Sequence, residues 1–299
     1  MTSESTDDSF ESWSIAWYTG MCVIAVFNMI VATYLFKHRK TNSTLPLAII
    51  FVFVCGYRSI FPTLYLSNTC FIPGPESSPL LARMLAFVGE ICWITQVALS
   101  IINASLLTGR RVFVRVLCYL SIFIIFCAEI FSTIGTVTKN SLWFTLEEGS
   151  WVFAAATCLT PSVALVYYDF AREPVRFPHP SLGNYLKICG ITLFIYDFWG
   201  VTMDVPSNYG RWIDEQDSDD SGWKTLTQGL SDIFNACDLD RGYDTWGGYL
   251  LWMTSYFSLC VWSSIVLALL TFEDAVKEKR KMVEGEGKGE IHDKLLPEP

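Results

Sequence analysis

Apolar residues gather in seven stretches of about 20 residues or more, at about 13–36, 45–66, 80–107, 112–135, 141–168, 185–204 and 248–271. A helix of that length matches a hydrocarbon core about 30 Å thick. The pattern predicts an all-α fold: a polytopic membrane protein built as a seven-transmembrane-helix bundle over 13–271. An acidic segment, 1–12, precedes it and a tail, 272–299, follows. Turn-rich SNTCFIPGPESSP parts the second stretch from the third, and the prolines of REPVRFPHPS part the fifth from the sixth. The sixth stretch is the shortest and contains Asp197.

Basic residues orient the bundle, because Lys and Arg beside spans stay cytoplasmic. KHRK at 37–40, Arg110 with Arg111 and Arg115, Arg172 with Arg176 and Lys187, and KEKRK at 277–281 fall on one side if the spans alternate. The other side holds Lys139, Arg211, Lys224 and Arg241. The N-terminus is therefore expected outside or in a lumen, and the C-terminus in the cytosol. The start, MTSESTDDSFES, lacks a basic region, so no cleaved signal peptide is expected.

The chain has 299 residues, 52% of them hydrophobic, with a mean hydropathy of +0.35, which is too apolar for an ordinary soluble domain. Its net charge of −9 comes largely from the non-cytoplasmic segments, including nine acids in the 205–247 loop. That acidity excludes nucleic acid as a natural partner. The bilayer and a lipophilic small molecule are the expected partners. With no CxxC, and with His38, His179 and His292 all in cytoplasmic segments, neither a metal centre nor a cofactor is expected. Cys70 and Cys237 alone among the ten cysteines fall in outside loops, and a lumen would let them pair. Such a disulfide would tie the 205–247 loop over the bundle mouth as a lid.

Within that loop, TLTQGLSDIFNA sets Leu226, Leu230, Ile233 and Phe234 on one helical face. DSDDSG at 217–222 has the start of a calcium loop, but Gln228 stands where a bidentate Glu is needed, so it reads as a solvated acidic turn, as does DLDRGYD at 238–244. Residues 282–299 are Gly, Glu and Lys rich and are expected to be disordered.

The candidate chemistry lies in charges inside the spans: Glu90, Glu129, Glu147, Glu148 and Asp197 against Arg58 and Arg83. A charge at bilayer depth costs several kcal/mol, about 2.5–3.5 on insertion scales, so such residues face protein or a wet cavity. Five acids against two bases leave about three carboxylates to be neutralised by protons or a cation. From the 1.5 Å rise, all lie in the outer half of the bilayer, Arg58 and Asp197 just outward of the midplane. Arg83 and Glu90, seven apart, share a face. Tyr57, Trp93, Trp151, Tyr196, Trp252 and Tyr256 crowd the same spans. Aromatic faces attract positive charge, and a neutral carboxylic acid beside them suits acid-initiated carbocation chemistry on an isoprenoid-like substrate.

LEEGSW at 146–151 resembles, in its paired glutamates, the small polytopic membrane terpene cyclases and membrane lycopene cyclases, which are aromatic-rich helical bundles using intramembrane acids. The resemblance covers six residues and implies Glu147 or Glu148 as proton donor. The chain lacks a DRY-like triplet after the third span, an NPxxY in the seventh, and the last-span lysine of microbial rhodopsins. The expectation is a membrane enzyme of cyclase or isomerase type. Glu147, Glu148 or Glu90 would act as donor, tuned by Asp197 and Arg58, with Tyr57, Arg83, Trp93, Glu129, Trp151, Tyr196, Trp252 and Tyr256 around the substrate. The second reading is a proton- or cation-coupled transporter using the same carboxylates. The third is a receptor or sensor whose 205–247 lid captures a ligand.

Overall fold

The computed structural model describes residues 4–38, 42–108, 111–172, 180–218, 222–233, 237–270 and 276. Phe234, the middle of DSDDSG, the prolines of the 173–179 connection, the whole of KEKRK, KHRK's Arg39 and Lys40, Arg110, and the tail 282–299 lie outside the described residues. Eight helical runs follow one another: α1 (Glu4–His38), α2 (Leu45–Ile60), α3 (Pro79–Thr108), α4 (Arg111–Thr138), α5 (Ser141–Arg172), α6 (Pro180–Trp199 continuing to Asp217), α7 (Leu226–Ile233) and α8 (Tyr243–Leu269). Six of them, α1, α3, α4, α5, α6 and α8, are long and apolar enough to cross a membrane, and α2 is a shorter apolar helix of 16 residues. This is an integral, multi-pass membrane protein.

Two of the boundaries that differ from the hydrophobic pattern move candidate residues. The second stretch, read as 45–66, stops being helical at Ile60, because Pro62 disfavours helical backbone at Phe61, which sits at φ −119° and ψ 64°. Arg58 therefore stands at the end of α2 and not near a midspan. The sixth helix does not stop at 204. It passes through a π-helical turn at Gly200–Asp204 and runs to Asp217, taking residues 205–217 out of the expected loop. The wide turn lets Pro206, which lacks an N–H, follow without breaking the helix. Further π turns occupy Ala155–Leu159 in α5 and Tyr256–Cys260 in α8. The last sets Tyr256 and Phe257 toward the same neighbour, as described below. It also frees the Phe257 carbonyl to accept from Asn28 Nδ2 at 3.4 Å.

Caps are supplied where chains reverse. Asn42 Oδ1 accepts from the backbone N–H of Thr44 at 3.1 Å and of Leu45 at 2.7 Å, opening α2. Lys139, left-handed at φ 57°, and Asn140, whose Oδ1 accepts from Leu142 N at 2.9 Å, form the tight α4–α5 link.

Helices α1 to α6 pack in sequence, and α3 lies centrally, touching α2, α4, α5 and α8. Ile94, Ala98 and Ile101 of α3 meet Val114, Cys118 and Ile125 of α4 and Val163 and Val166 of α5 in one core. A second core joins Phe51, Val52 and Cys55 of α2 to Met253, Phe257 and Val261 of α8. Gln96 Nε2 donates to Ser264 O at 2.7 Å while Ser264 Oγ donates to Gln96 Oε1 at 2.6 Å, locking α3 to α8. Helix α6 packs chiefly on α5 and shares no comparable packing with α8. The ring of helices is thus open on that flank, and Ile188, Ile191, Phe194 and Phe198 of α6 are 60–69% exposed.

Residues 222–233 and 237–242 cap one end. Strand β1 (Thr63–Leu64) pairs antiparallel with β2 (Thr69–Cys70), and β2 pairs parallel with β3 (Asp238–Leu239). The disulfide Cys70–Cys237, with Cα atoms 5.6 Å apart, lies beside that ladder. Ser78 Oγ donates to Ile233 O at 2.9 Å, Arg241 Nε to Phe71 O at 3.0 Å, and Lys224 N to Thr138 O at 2.9 Å. In α7 the expected apolar face is only partly used: Ile233 is fully buried, but Leu226 and Leu230 are 55% and 37% exposed. The contact is made instead through Gly229, which rests on the α4 backbone. DLDRGYD is a self-capped turn, in which Asp240 Oδ1 accepts from Gly242 N at 2.7 Å and Asp240 Oδ2 from Thr245 Oγ1 at 2.5 Å.

A Cβ at Gly229 would fall 1.8 Å from the Val137 carbonyl oxygen. Gly229→Ala should therefore lift α7 and cost about 1–3 kcal/mol, the usual range for overpacking, measured as a lower melting midpoint in detergent and faster proteolysis within 218–242. Lys139 is buried with its Nζ donating to Tyr65 O, and burial together with the Lys224 ammonium brings it from 10.5 down to about 8. Between those pH values the unfolded chain keeps a proton that the folded one has released, so stability rises with pH across the window. The melting midpoint should climb from pH 8 to pH 10 in the wild type, and that increment should vanish in Lys139→Met.

Candidate functional site

Four consecutive helices place five charged side chains at one level toward the capped end: Arg58 from α2, Arg83 and Glu90 from α3, Glu129 from α4 and Glu147 from α5. All five are buried. Arg83 is the hub. Its Nη2 pairs with Glu129 Oε2 and lies 3.8 Å from Glu90 Oε2, while its Nη1 lies 3.4 Å from Glu147 Oε1. Arg58 Nη1 holds Glu90 Oε1 at 3.2 Å, and Tyr256 Oη donates to the same oxygen at 3.0 Å. The π turn of α8 lets two adjacent rings, Tyr256 and Phe257, both face the Arg58 guanidinium, each with its centroid 5.5 Å away. Arg83 in turn lies 6.0 Å from the ring centroid of Tyr65.

Three carboxylates against two guanidiniums leave one negative charge in excess inside the bundle. Oxygens of Glu90, Glu129 and Glu147 lie within 4.8 Å of one another, close enough for their negative charges to repel strongly or to meet one cation. Glu129 Oε1 and Arg83 Nε have no hydrogen-bond partner among the described residues, so the network is not fully satisfied.

The remaining sequence candidates divide. Glu148 is half-buried on α5, beside Glu147, within electrostatic reach of Asp204 and of the Tyr196 ring, and forms no ion pair among the described residues. Asp197 stands apart from the network, accepting from Thr160 Oγ1 at 3.2 Å. Its place on α6, behind the α5 π turn, keeps it from Arg58, so the two do not act as a pair. Tyr57 is likewise outside, its hydroxyl held by the Glu76 carbonyl.

The other aromatic candidates join in one line of ring contacts between α6 and α8. Ring contacts run from Tyr196 to Trp151 at 6.4 Å, Trp151 to Trp93 at 6.1 Å, Trp93 to Phe51 at 5.9 Å, Phe51 to Tyr256 at 6.1 Å and Tyr256 to Trp252 at 5.3 Å. This line crosses from α6 over α5, α3 and α2 to α8, spanning the gap that α6 and α8 leave. Glu148 and Trp151, three apart, share a helix face. The indole N–H of Trp93 is buried and has no hydrogen-bond partner among the described residues. Phe51, Tyr65 and Phe257 were not singled out by the sequence pattern. Tyr65 lies at the end of the expected 45–66 stretch, beyond the point where α2 stops, and Phe257 faces Arg58 because a π turn displaces the helical period.

Comparison with family models, curated proteins and solved structures finds no match. The likeness of LEEGSW to membrane cyclases therefore rests on those six residues alone.

Arg83→Met leaves three buried acids without their common partner and should cost about 3–5 kcal/mol, as for other broken buried pairs. The double variant Arg83→Met/Glu129→Gln should recover at least about 1 kcal/mol relative to the sum of the single changes, the coupling expected of contacting groups, measured by thermal or denaturant unfolding in micelles.

Proposed function

We propose that this protein is a membrane-embedded enzyme of cyclase or isomerase type acting on a lipophilic, isoprenoid-like substrate, with Glu148 as proton donor. The observation that carries the reading is the line of rings Tyr196–Trp151–Trp93–Phe51–Tyr256–Trp252 along the open flank, with Glu148 at its α6 end. A lipophilic chain would enter sideways between α6 and α8. Glu148, bound to no guanidinium, gives its proton to a carbon–carbon double bond. The π faces of Trp151 and Trp93 stabilise the carbocation without attacking it, and the Glu148 carboxylate takes a proton back from a neighbouring carbon, which forms the new double bond, completes an isomerisation or ring closure and restores the acid. Glu90, Glu129 and Glu147 hold the helices through Arg83 and Arg58 and set the local field. In this reading all seven apolar helices span the bilayer, α2 included. The capped end faces the lumen or exterior and the C-terminus the cytosol, as the basic residues direct.

The odd negative charge of the arginine network supports a second reading, a proton-coupled transporter in which that network binds and releases the coupling ion. Purified protein in nanodiscs, incubated with a panel of linear polyprenols and polyenes, should form products of unchanged mass and altered retention. Glu148→Gln should lower that rate by about 10²-fold or more, the usual weight of a general acid, while folding normally. Absence of any product, together with substrate-dependent proton flux in liposomes, would replace the enzyme with the transporter.

A further inference from the structure

A cleft of about 740 Å³ lies under the cap, on top of the charge network and separate from the aromatic flank. Its charged lining is Lys139 from the α4–α5 turn, Arg211 and Glu215 from the end of α6, Lys224 and Asp232 from the cap, and Asp238 from β3. The formal charges cancel, but the pairing does not. Lys224 is held by Asp232. Glu215 is occupied by Ser141 N at 3.1 Å and Trp223 Nε1 at 2.9 Å. Arg211 has no ion-pair or hydrogen-bond partner among the described residues, and Lys139, buried to 8% exposure, is satisfied only by the Tyr65 carbonyl. A buried ammonium facing a second cation, Lys224, and an unengaged guanidinium are thus turned to one space.

Asn68 adds a third group. It lines the same cleft, sits in the left-handed region at φ 56°, and its side-chain oxygen is buried with no partner among the described residues. A carboxamide held in that backbone conformation can present either its donor or its acceptor to an occupant. The volume is that of a small-molecule pocket, and the walls are fixed by the Cys70–Cys237 disulfide and the β2–β3 pairing on one side and by the α4–α5 turn on the other.

We infer that this cleft binds a small anion through Arg211, Lys139 and Asn68, the anionic group being a carboxylate or a phosphate. The guanidinium offers the bidentate fork that such groups match, and the ammonium, in electrostatic reach of an Asp232 carboxylate already paired with Lys224, gains a counter-ion of its own. Tyr65 connects the cleft to the buried network, since its carbonyl holds Lys139 while its ring lies against Arg83. The site stands whether the flank below serves catalysis or transport.

The test uses the full chain in phosphatidylcholine nanodiscs, titrated with inorganic phosphate and, separately, with succinate, against sodium chloride of equal ionic strength. The expected result is a saturable rise in melting midpoint with at least one of the two anions and none with chloride. Arg211→Gln should weaken the apparent affinity about tenfold. Asp238→Asn, which removes an exposed carboxylate from the lining, should strengthen it. If phosphatidylserine in the nanodisc abolishes the phosphate response in the wild type but not in Arg211→Gln, the occupant is a lipid headgroup; if the response persists, it is a free anion. No rise beyond chloride in either lipid, or an equal response in wild type and Arg211→Gln, overturns the assignment.

Discussion

The bundle depends on one guanidinium. Arg83, 3% exposed, stands between carboxylates from α3, α4 and α5, and Arg58 completes the set from α2. Each acid would be costly alone at that depth, and their mutual repulsion would force the helices apart. With the guanidinium in place the same charges fix the rotation and vertical register of four helices. The apolar cores below, centred on α3, supply surface burial but little directional information, since aliphatic side chains tolerate small slides.

The open flank follows from the same arrangement. The network engages α2 to α5, and α8 is held to α3 through Gln96 and Ser264 and to Arg58 through Tyr256 and Phe257. Among the described residues no ion pair draws α6 inward, and its polar ties, Asp197 to Thr160 and Glu215 to Ser141, run to α5. It lies on α5, buries Tyr185 and Leu186 there, and keeps Ile188, Ile191, Phe194 and Phe198 outward. The polar cap closes only the end of the bundle, and Tyr256 joins the aromatic line to the arginine network, since its ring meets Phe51 and its hydroxyl donates to Glu90.

Much of this was legible in the chain. Length and hydropathy located the six long apolar helices and the shorter α2, because a span has a physical minimum length. The buried charges Arg58, Arg83, Glu90, Glu129 and Glu147 were legible as a group, since charges in apolar stretches require company. Cys70 and Cys237 could be matched because they fall in facing loops. What was not legible depended on departures from a regular period. Pro62 ends α2 early, a π turn carries α6 past 204, and another turns Phe257 toward Arg58. Asp197 and Tyr57 lie at suitable depths but on faces that meet Thr160 and Glu76, which one-dimensional spacing across separate helices cannot reveal.

The five charges of the network fall between positions 58 and 147. Every partner in this network is therefore synthesised before α6, the cap and α8. During synthesis α4, with Glu129, and α5, with Glu147, can be received into the lipid beside an α3 that already presents Arg83. The most hazardous electrostatics of the molecule are thus neutralised in its first half, and the later segments join a scaffold whose geometry is already decided.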